Sequence, residues 1–339
     1  MTTDFSRLLQ KYLTSYLSHE RGYSINTIST YRYTFVLFLE FLSTKSIKAD
    51  EFELKHFKHE LINEFLDYLE TVKSSSISTR NNRLATILSF TKFLSYEYPD
   101  YLSNYSEILA IKFKKSQIST VNYLDIEGVK LLLSKAHKDT MQHYRDFMIL
   151  FLMYESGVRV SELANIRVND FHTISPYYIK ILGKGKKERL VPVAKEVIDE
   201  VNEYLKKTEL NRKAGDSLLL TNSRKEKLTR AGINYILKKY ADEARKDNDK
   251  LIPDKVTPHV LRHSKAMHLL QNGVNLVYIR DFLGHTSIRT TEIYARANSK
   301  LKQEAIERAY ASIYPEERPK WENKSTLEWL KKKKKKIVM

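Results

Sequence analysis

The chain has 339 residues, with 58 Lys and Arg against 41 Asp and Glu, a net charge of +17. That length suggests about two domains, and 42% hydrophobic with 29% charged residues exclude a wholly disordered chain. The absence of cysteine excludes disulfides, thiolate metal sites and a cysteine nucleophile, while the basic excess, which persists without the run Lys331–Lys336, points to a polyanionic partner, nucleic acid foremost.

The opening MTTDFSRLLQKYLTSYL has no basic stretch ahead of an apolar run, so no signal peptide is expected. No segment approaches the roughly 18 apolar residues of a membrane span. The richest, Asp146 to Tyr154, has the length of a buried helix. A cytoplasmic location with no membrane partner is expected.

Phe5, Leu8, Leu9, Tyr12, Leu13, Tyr16 and Leu17 recur at three- and four-residue steps and predict a helix that Gly22 ends. Ser24 caps a second helix through Ile28, Tyr31, Phe35, Phe38, Leu39 and Leu42. A third runs through Leu61, Phe65, Leu66 and Leu69. A fourth follows Ser74-Ser75-Ser76 and carries Leu84, Ile87, Leu88, Thr91, Phe93 and Leu94. Four helices with short connections predict a small bundle over residues 1–105. The fourth helix opens with Arg80, Asn81 and Arg83 on its polar face, candidate contacts to DNA phosphates. A solvated helix start reads the same way.

Residues 106–121 show weak periodicity around Lys112, Lys114 and Lys115 and are expected to be a linker. A second domain, 122–314, begins where Asp125 caps a helix through Val129, Leu132 and Leu133. A buried helix at 141–155 and a short one from Val160 to Asn165 follow. The period then changes: Tyr177–Leu182 and Arg189–Val193 are β-branched and aromatic and predict a hairpin around Gly183-Lys184-Gly185. Helices resume at about 195–206, 229–245, 259–272, 276–283 and 300–311. The fold class is mainly α with a small β-hairpin in the second domain (α+β). A basic tail, 315–339, carries Leu327, Trp329 and Leu330 ahead of the lysine run, which is expected to be solvated.

Three basic groups can carry chemistry. Arg159 lies where a glycine turn meets a helix start, a place where a guanidinium and free amides converge on an oxyanion. Lys184 sits between two glycines on the hairpin tip, with Lys186 and Lys187 as neighbouring candidates for DNA contact. His259 and Arg262 are three apart on one helix face, His285 follows Gly284, and Tyr294 comes nine residues later. His263 shares a face with Met267 and Leu270 and reads as packed. Two arginines, histidines, a lysine and a tyrosine without a metal-ligand set suit phosphodiester transesterification. Guanidiniums balance the charge on the non-bridging oxygens, a tyrosine attacks phosphorus, a histidine helps remove its proton, and a lysine protonates the leaving 5′ oxygen. A phosphotyrosyl ester keeps the bond energy, so no cofactor and no metal are expected.

The blocks SGVRVSEL (156–163), LGKGKKERLVPV (182–193), HVLRHSKAMHLL (259–270) and LGHTSIRTTEIYARA (283–297) resemble the tyrosine recombinase/integrase family, its simple bacterial Xer-like members and mobile-element integrases most closely. SINTISTYRYTFVLFLEFL (24–42) resembles that family's SAM-like core-binding domain. The resemblance implies that Arg159 and Arg262 hold the scissile phosphate, Lys184 is the general acid, His259 assists proton transfer and His285 hydrogen-bonds the phosphate. It further implies that Tyr294 forms a 3′-phosphotyrosyl link and Glu162 supports the site. It implies a tetramer on two double-stranded DNA recombination sites, with or without a partner recombinase, and the added tail favours a mobile-element integrase or transposase over a housekeeping resolvase. Two other readings remain open: a catalytically inactive DNA-binding accessory protein on the same fold, and a metal hydrolase using His259, His263 and His285. Against the last, Arg262 between the histidines opposes a cation.

Overall fold

The structure, a computed structural model, describes residues 3–115, 121–183, 185, 187–210, 215–285, 287–297 and 307. Lys184, Lys186, nearly all of the predicted helix at 300–311 and the whole basic tail lie outside the described residues. The chain divides into two compact units, 1–119 and 120–339.

In the first unit the Thr3 hydroxyl accepts from the Ser6 N–H and starts α1 (Asp4–Lys11). The chain continues in wider π turns over Tyr12–Glu20, and Gly22, at φ +61°, ends the run as expected. Ser24 caps α2 (Ile25–Thr44), α3 follows at His59–Thr71, and Ser76 caps α4 (Ile77–Glu97). Their apolar stripes meet in an aromatic core. The Phe5 ring lies edge-on to Phe52 and Phe90 at 4.9 and 5.8 Å, the arrangement that ring quadrupoles favour.

The expected linker starts too early. α5 (Leu102–Leu109) buries Tyr105 and Ile108 in this same core. Beyond it, Asn81 clasps the backbone of Lys114, donating Nδ2–H to the carbonyl at 2.7 Å and accepting the N–H on Oδ1 at 3.1 Å. Leu102, Tyr105, Ile108 and Leu109 fall at helical steps, but the run is only eight residues long and Leu102 stays exposed, so the local signal is short. Burial against α3 and α4 decides it.

In the second unit Asp125 caps α6 (Ile126–Lys135), and the buried helix is α7 (Met141–Glu155), with Met148, Ile149, Leu152 and Met153 in the core. A short helix, α8 (Val160–Leu163), leads to a three-stranded antiparallel sheet in the order β1-β2-β3. The predicted hairpin is β2 (Tyr178–Leu182) and β3 (Glu188–Pro192), with Ile181 opposite Arg189. The two-residue strand β1 (Phe171–His172) is added by pairing with β2 and is too short to show in the sequence. Then come α9 (Lys195–Thr208), α10 (Arg230–Asp247), α11 (Pro258–Gln271) and α12 (Leu276–Leu283). A further helix not foreseen, α13 (Arg289–Ala297), packs Tyr294 against Met267, Ile279 and Leu283. No described helix is long and apolar enough to cross a membrane.

Candidate active site

The site is assembled at the C-terminal end of α12. The last carbonyls of a helix have no partner within it and carry the negative end of its dipole. Here three consecutive ones each take a guanidinium. Phe282 O accepts from Arg189 Nε at 3.1 Å, Leu283 O from Arg262 Nη2 at 2.6 Å, and Gly284 O from Arg159 Nη2 at 3.1 Å. Gly284 caps α12 at φ +65°, a left-handed conformation that suits glycine, and a Cβ there would stand 2.9 Å from Arg189 Nη1.

Arg262, on α11, is 3% exposed and also donates Nη1–H to Gly157 O at 2.6 Å. Burial and then the positive charge of Arg159 lower its pKa to about 10, so it stays charged at neutral pH. Gly157 has φ +56°, and its Cα faces Phe282 and Leu283 so closely that a Cβ would meet both at 3.0 Å. That turn presents Arg159 at the start of α8, its side chain 34% exposed. Glu162, one turn on and 4% exposed, accepts the Arg159 backbone N–H at 2.9 Å and its Nη1–H at 2.8 Å. The same carboxylate takes the Arg189 fork, Nη1 at 3.1 Å and Nη2 at 2.8 Å. Burial pushes the Glu162 pKa up; the Arg189 hydrogen bonds and charge, with those of Arg159, outweigh it and hold the carboxyl below its ordinary value.

Tyr294 is fully buried and its hydroxyl lies 2.8 Å from His263 Nδ1. Burial pushes the phenol up to about 12, with Arg262 pulling the other way. Burial, then His259 and Arg262, lower His263 to about 4, so its imidazole is neutral at pH 7, and its Nε2–H tautomer leaves Nδ1 free to accept from the phenol. His285 Nδ1 lies 3.0 Å from the buried Thr291 hydroxyl on α13. Burial and the charges of Arg262 and Arg159 lower it to about 4 as well. His259 is exposed on the first turn of α11, its ring centre 6.2 Å from that of His263.

The structure thus brings Arg159, Arg262, Glu162, His259, His285 and Tyr294 into one region of the second unit. Lys187 is exposed on the hairpin, while Lys184 and Lys186 lie outside the described residues. In the first unit Arg80 is buried, with Nε 3.3 Å from Glu70, and Asn81 is occupied with Lys114. Arg83 donates Nη1–H to Thr30 O and Thr34 Oγ1 and lies over the Tyr33 ring at 5.1 Å.

Two residues escaped the sequence reading. Arg189 falls in phase with Val191 on an alternating strand, and an arginine on the inward phase was the available signal. His263 shares a face with Met267 and Leu270 by its spacing, which reads as packed, but its Nδ1 meets the Tyr294 hydroxyl. No local pattern could show this, because Tyr294 is 31 residues away.

The Phage integrase family matches residues 122–300, and the phage integrase N-terminal SAM-like domain matches residues 9–98. Tyrosine recombinase XerD of Staphylococcus haemolyticus is 31% identical over 310 residues, covering 91% of this chain and 98% of its own. Tyrosine recombinase XerA of Pyrococcus horikoshii is 32% identical over 297 residues, covering 86% and 96%. Among solved structures, the pre-cleavage complex of XerH site-specific recombinase bound to difH substrate superposes with a TM-score of 0.62 at 25% identity, over 82% of this chain and 78% of that one. The chain belongs to the phage integrase family and is a tyrosine-type site-specific recombinase, an enzyme that cuts and rejoins DNA.

Proposed function

We propose that this recombinase works through a 3′-phosphotyrosyl intermediate on Tyr294. The observation that carries this reading is the Tyr294 hydroxyl itself. It is hydrogen-bonded to a neutral imidazole and lies within the field of Arg262. In the cleavage step the Tyr294 oxygen forms a bond to phosphorus as the P–O5′ bond breaks. The phenolic proton passes to a histidine: His263, whose Nδ1 lies 2.8 Å from the phenol, or His259 on the same helix. The Lys184 ammonium gives its proton to the departing 5′ oxygen. Arg159 and Arg262 each commit some of their five N–H donors to backbone or Glu162, and the rest serve the non-bridging oxygens, joined by His285. The same steps reversed rejoin the strand, so no nucleotide cofactor is consumed.

The substrate is a pair of double-stranded DNA recombination sites. Exchanging both strands of both sites needs four cuts, and one nucleophile per chain then implies a tetramer on DNA, of this chain alone or together with a partner recombinase. We assign the role to a mobile-element integrase or transposase acting in the cytoplasm. Both domains contribute phosphate contacts. In the catalytic domain these are Lys186 and Lys187. In the core-binding domain Arg80, Asn81 and Arg83 fix the start of α4 and the segment that bears the exposed Lys112, Lys114 and Lys115.

Tyr294→Phe keeps the buried ring and removes the nucleophile. On a nicked suicide site it should bind DNA like the wild type and trap no covalent adduct, while the wild type traps one. An adduct of wild-type yield from the variant refutes the assignment. No adduct from the wild type would favour an inactive accessory protein.

A further inference from the structure

We propose that Arg189 is a positioning residue for the general acid: it fixes the mouth of the β2–β3 hairpin against Glu162 and the end of α12, and so sets where the Lys184 turn begins. This rests on the reading of Lys184 as the acid. Arg189 occupies an inward phase of β3, level with the buried Val191 two residues on, and its side chain is 12% exposed. An arginine pointing inward is costly unless its charge and its N–H groups are matched. They are matched on two elements at once: both oxygens of Glu162 on α8, and Phe282 O at the end of α12.

The hairpin rests on this arginine directly. Gly183, the last residue before Lys184, closes the turn by donating its N–H to Lys187 O at 2.8 Å. A Cβ on Gly183 would stand 3.5 Å from Arg189 Nη1 and 3.6 Å from Glu162 Oε1. On the other side the guanidinium and Cδ of Arg189 lie against Gly284, the residue before His285. One side chain therefore touches the bases of the Lys184 turn and of the His285 loop, and shares a carboxylate with Arg159. Without this anchor the start of the turn is less fixed, and the ammonium would reach the 5′ oxygen less often.

A 5′ bridging sulfur tests the idea, because a thiolate leaves without a proton. Cleavage by the full-length protein is measured on oxygen- and sulfur-bridged sites. The sulfur-to-oxygen rate ratio on one preparation cancels any loss of folded enzyme. Lys184→Ala should raise the ratio by about 10²–10⁴, the usual worth of positioned proton transfer. Arg189→Met should raise it at least about tenfold. Arg189→Lys, which keeps the charge but not the fork, should fall between Arg189→Met and the wild type. Arg262→Ala should leave the ratio unchanged, since phosphate charge is the same with either bridge. A raised ratio for Lys184→Ala with wild-type ratios for both Arg189 variants overturns the positioning role alone. An unraised ratio for Lys184→Ala overturns the reading of Lys184, and the role of Arg189 with it.

Discussion

Replacing Glu162 by glutamine tests the centre of the site. The carboxylate is 4% exposed and accepts four N–H groups, two from Arg159 and two from Arg189. An amide keeps the volume and one acceptor, but turns the other oxygen into an NH₂ that faces guanidinium donors. Removing one partner of a buried ion pair costs roughly 3–5 kcal/mol. Arg159 is 34% exposed and water can partly replace its contact, whereas Arg189, at 12%, has less recourse. We therefore expect the lower end, about 3 kcal/mol, most of it from the Arg189 fork. For a unit of this size that is roughly 6–12 °C in Tm. Thermal and urea unfolding at pH 7 measure it, and the cycle Glu162→Gln, Arg189→Met and the double variant should show a coupling of about 1–3 kcal/mol. A loss under about 1 kcal/mol, or an additive cycle, would refute the reasoning. The pH dependence has a fixed sign. The folded carboxyl titrates below its ordinary 4.5, so its contribution is fully present above that pH and is lost as pH falls through the lowered folded value. The gap between wild type and Glu162→Gln should narrow on acidification below about 4.5, and a gap that widens contradicts the ion pair.

Gly284→Ala forces a left-handed residue, about 1–2 kcal/mol, and brings a methyl to 2.9 Å from Arg189, so both Tm and cleavage rate should drop; normal cleavage would show that the loop yields freely. His263→Ala should slow cleavage by about 10²-fold or more and shift the pH–rate profile upward, because Tyr294, at about 12, then loses its hydrogen-bond partner and the nearest base. An unmoved profile points to His259 instead. Binding to DNA should weaken steeply with salt, by about 0.9 in log K per log salt for each phosphate neutralised. Residues 120–339 alone should bind a recombination site far more weakly than the full chain, and equal affinity would remove the first unit from DNA binding.

Much of the protein is legible locally. Helix caps at Ser24, Ser76 and Asp125, the stop at Gly22, the buried α7 and the switch to period two at the hairpin all follow from side chains acting on their own backbone within a few residues. That is why they appear in one chain read alone. Arg159 and His285 stand beside glycine turns, whereas Arg262 and Tyr294 are marked only by the blocks that resemble the family. What the sequence could not contain is which of these groups meet. Arg189 and Glu162 lie 27 residues apart, His263 and Tyr294 31, and Arg262 and Gly157 105. Around them, three carbonyls at the end of α12 take Arg189, Arg262 and Arg159, and α13 packs its tyrosine against α11. Burial in turn sets the chemistry, leaving His263 neutral and Tyr294 protonated, since desolvation acts only once distant elements have closed over a group. The same rule made α5 a helix of the first unit rather than a linker: its two buried residues, Tyr105 and Ile108, gain their stabilisation from the core they enter.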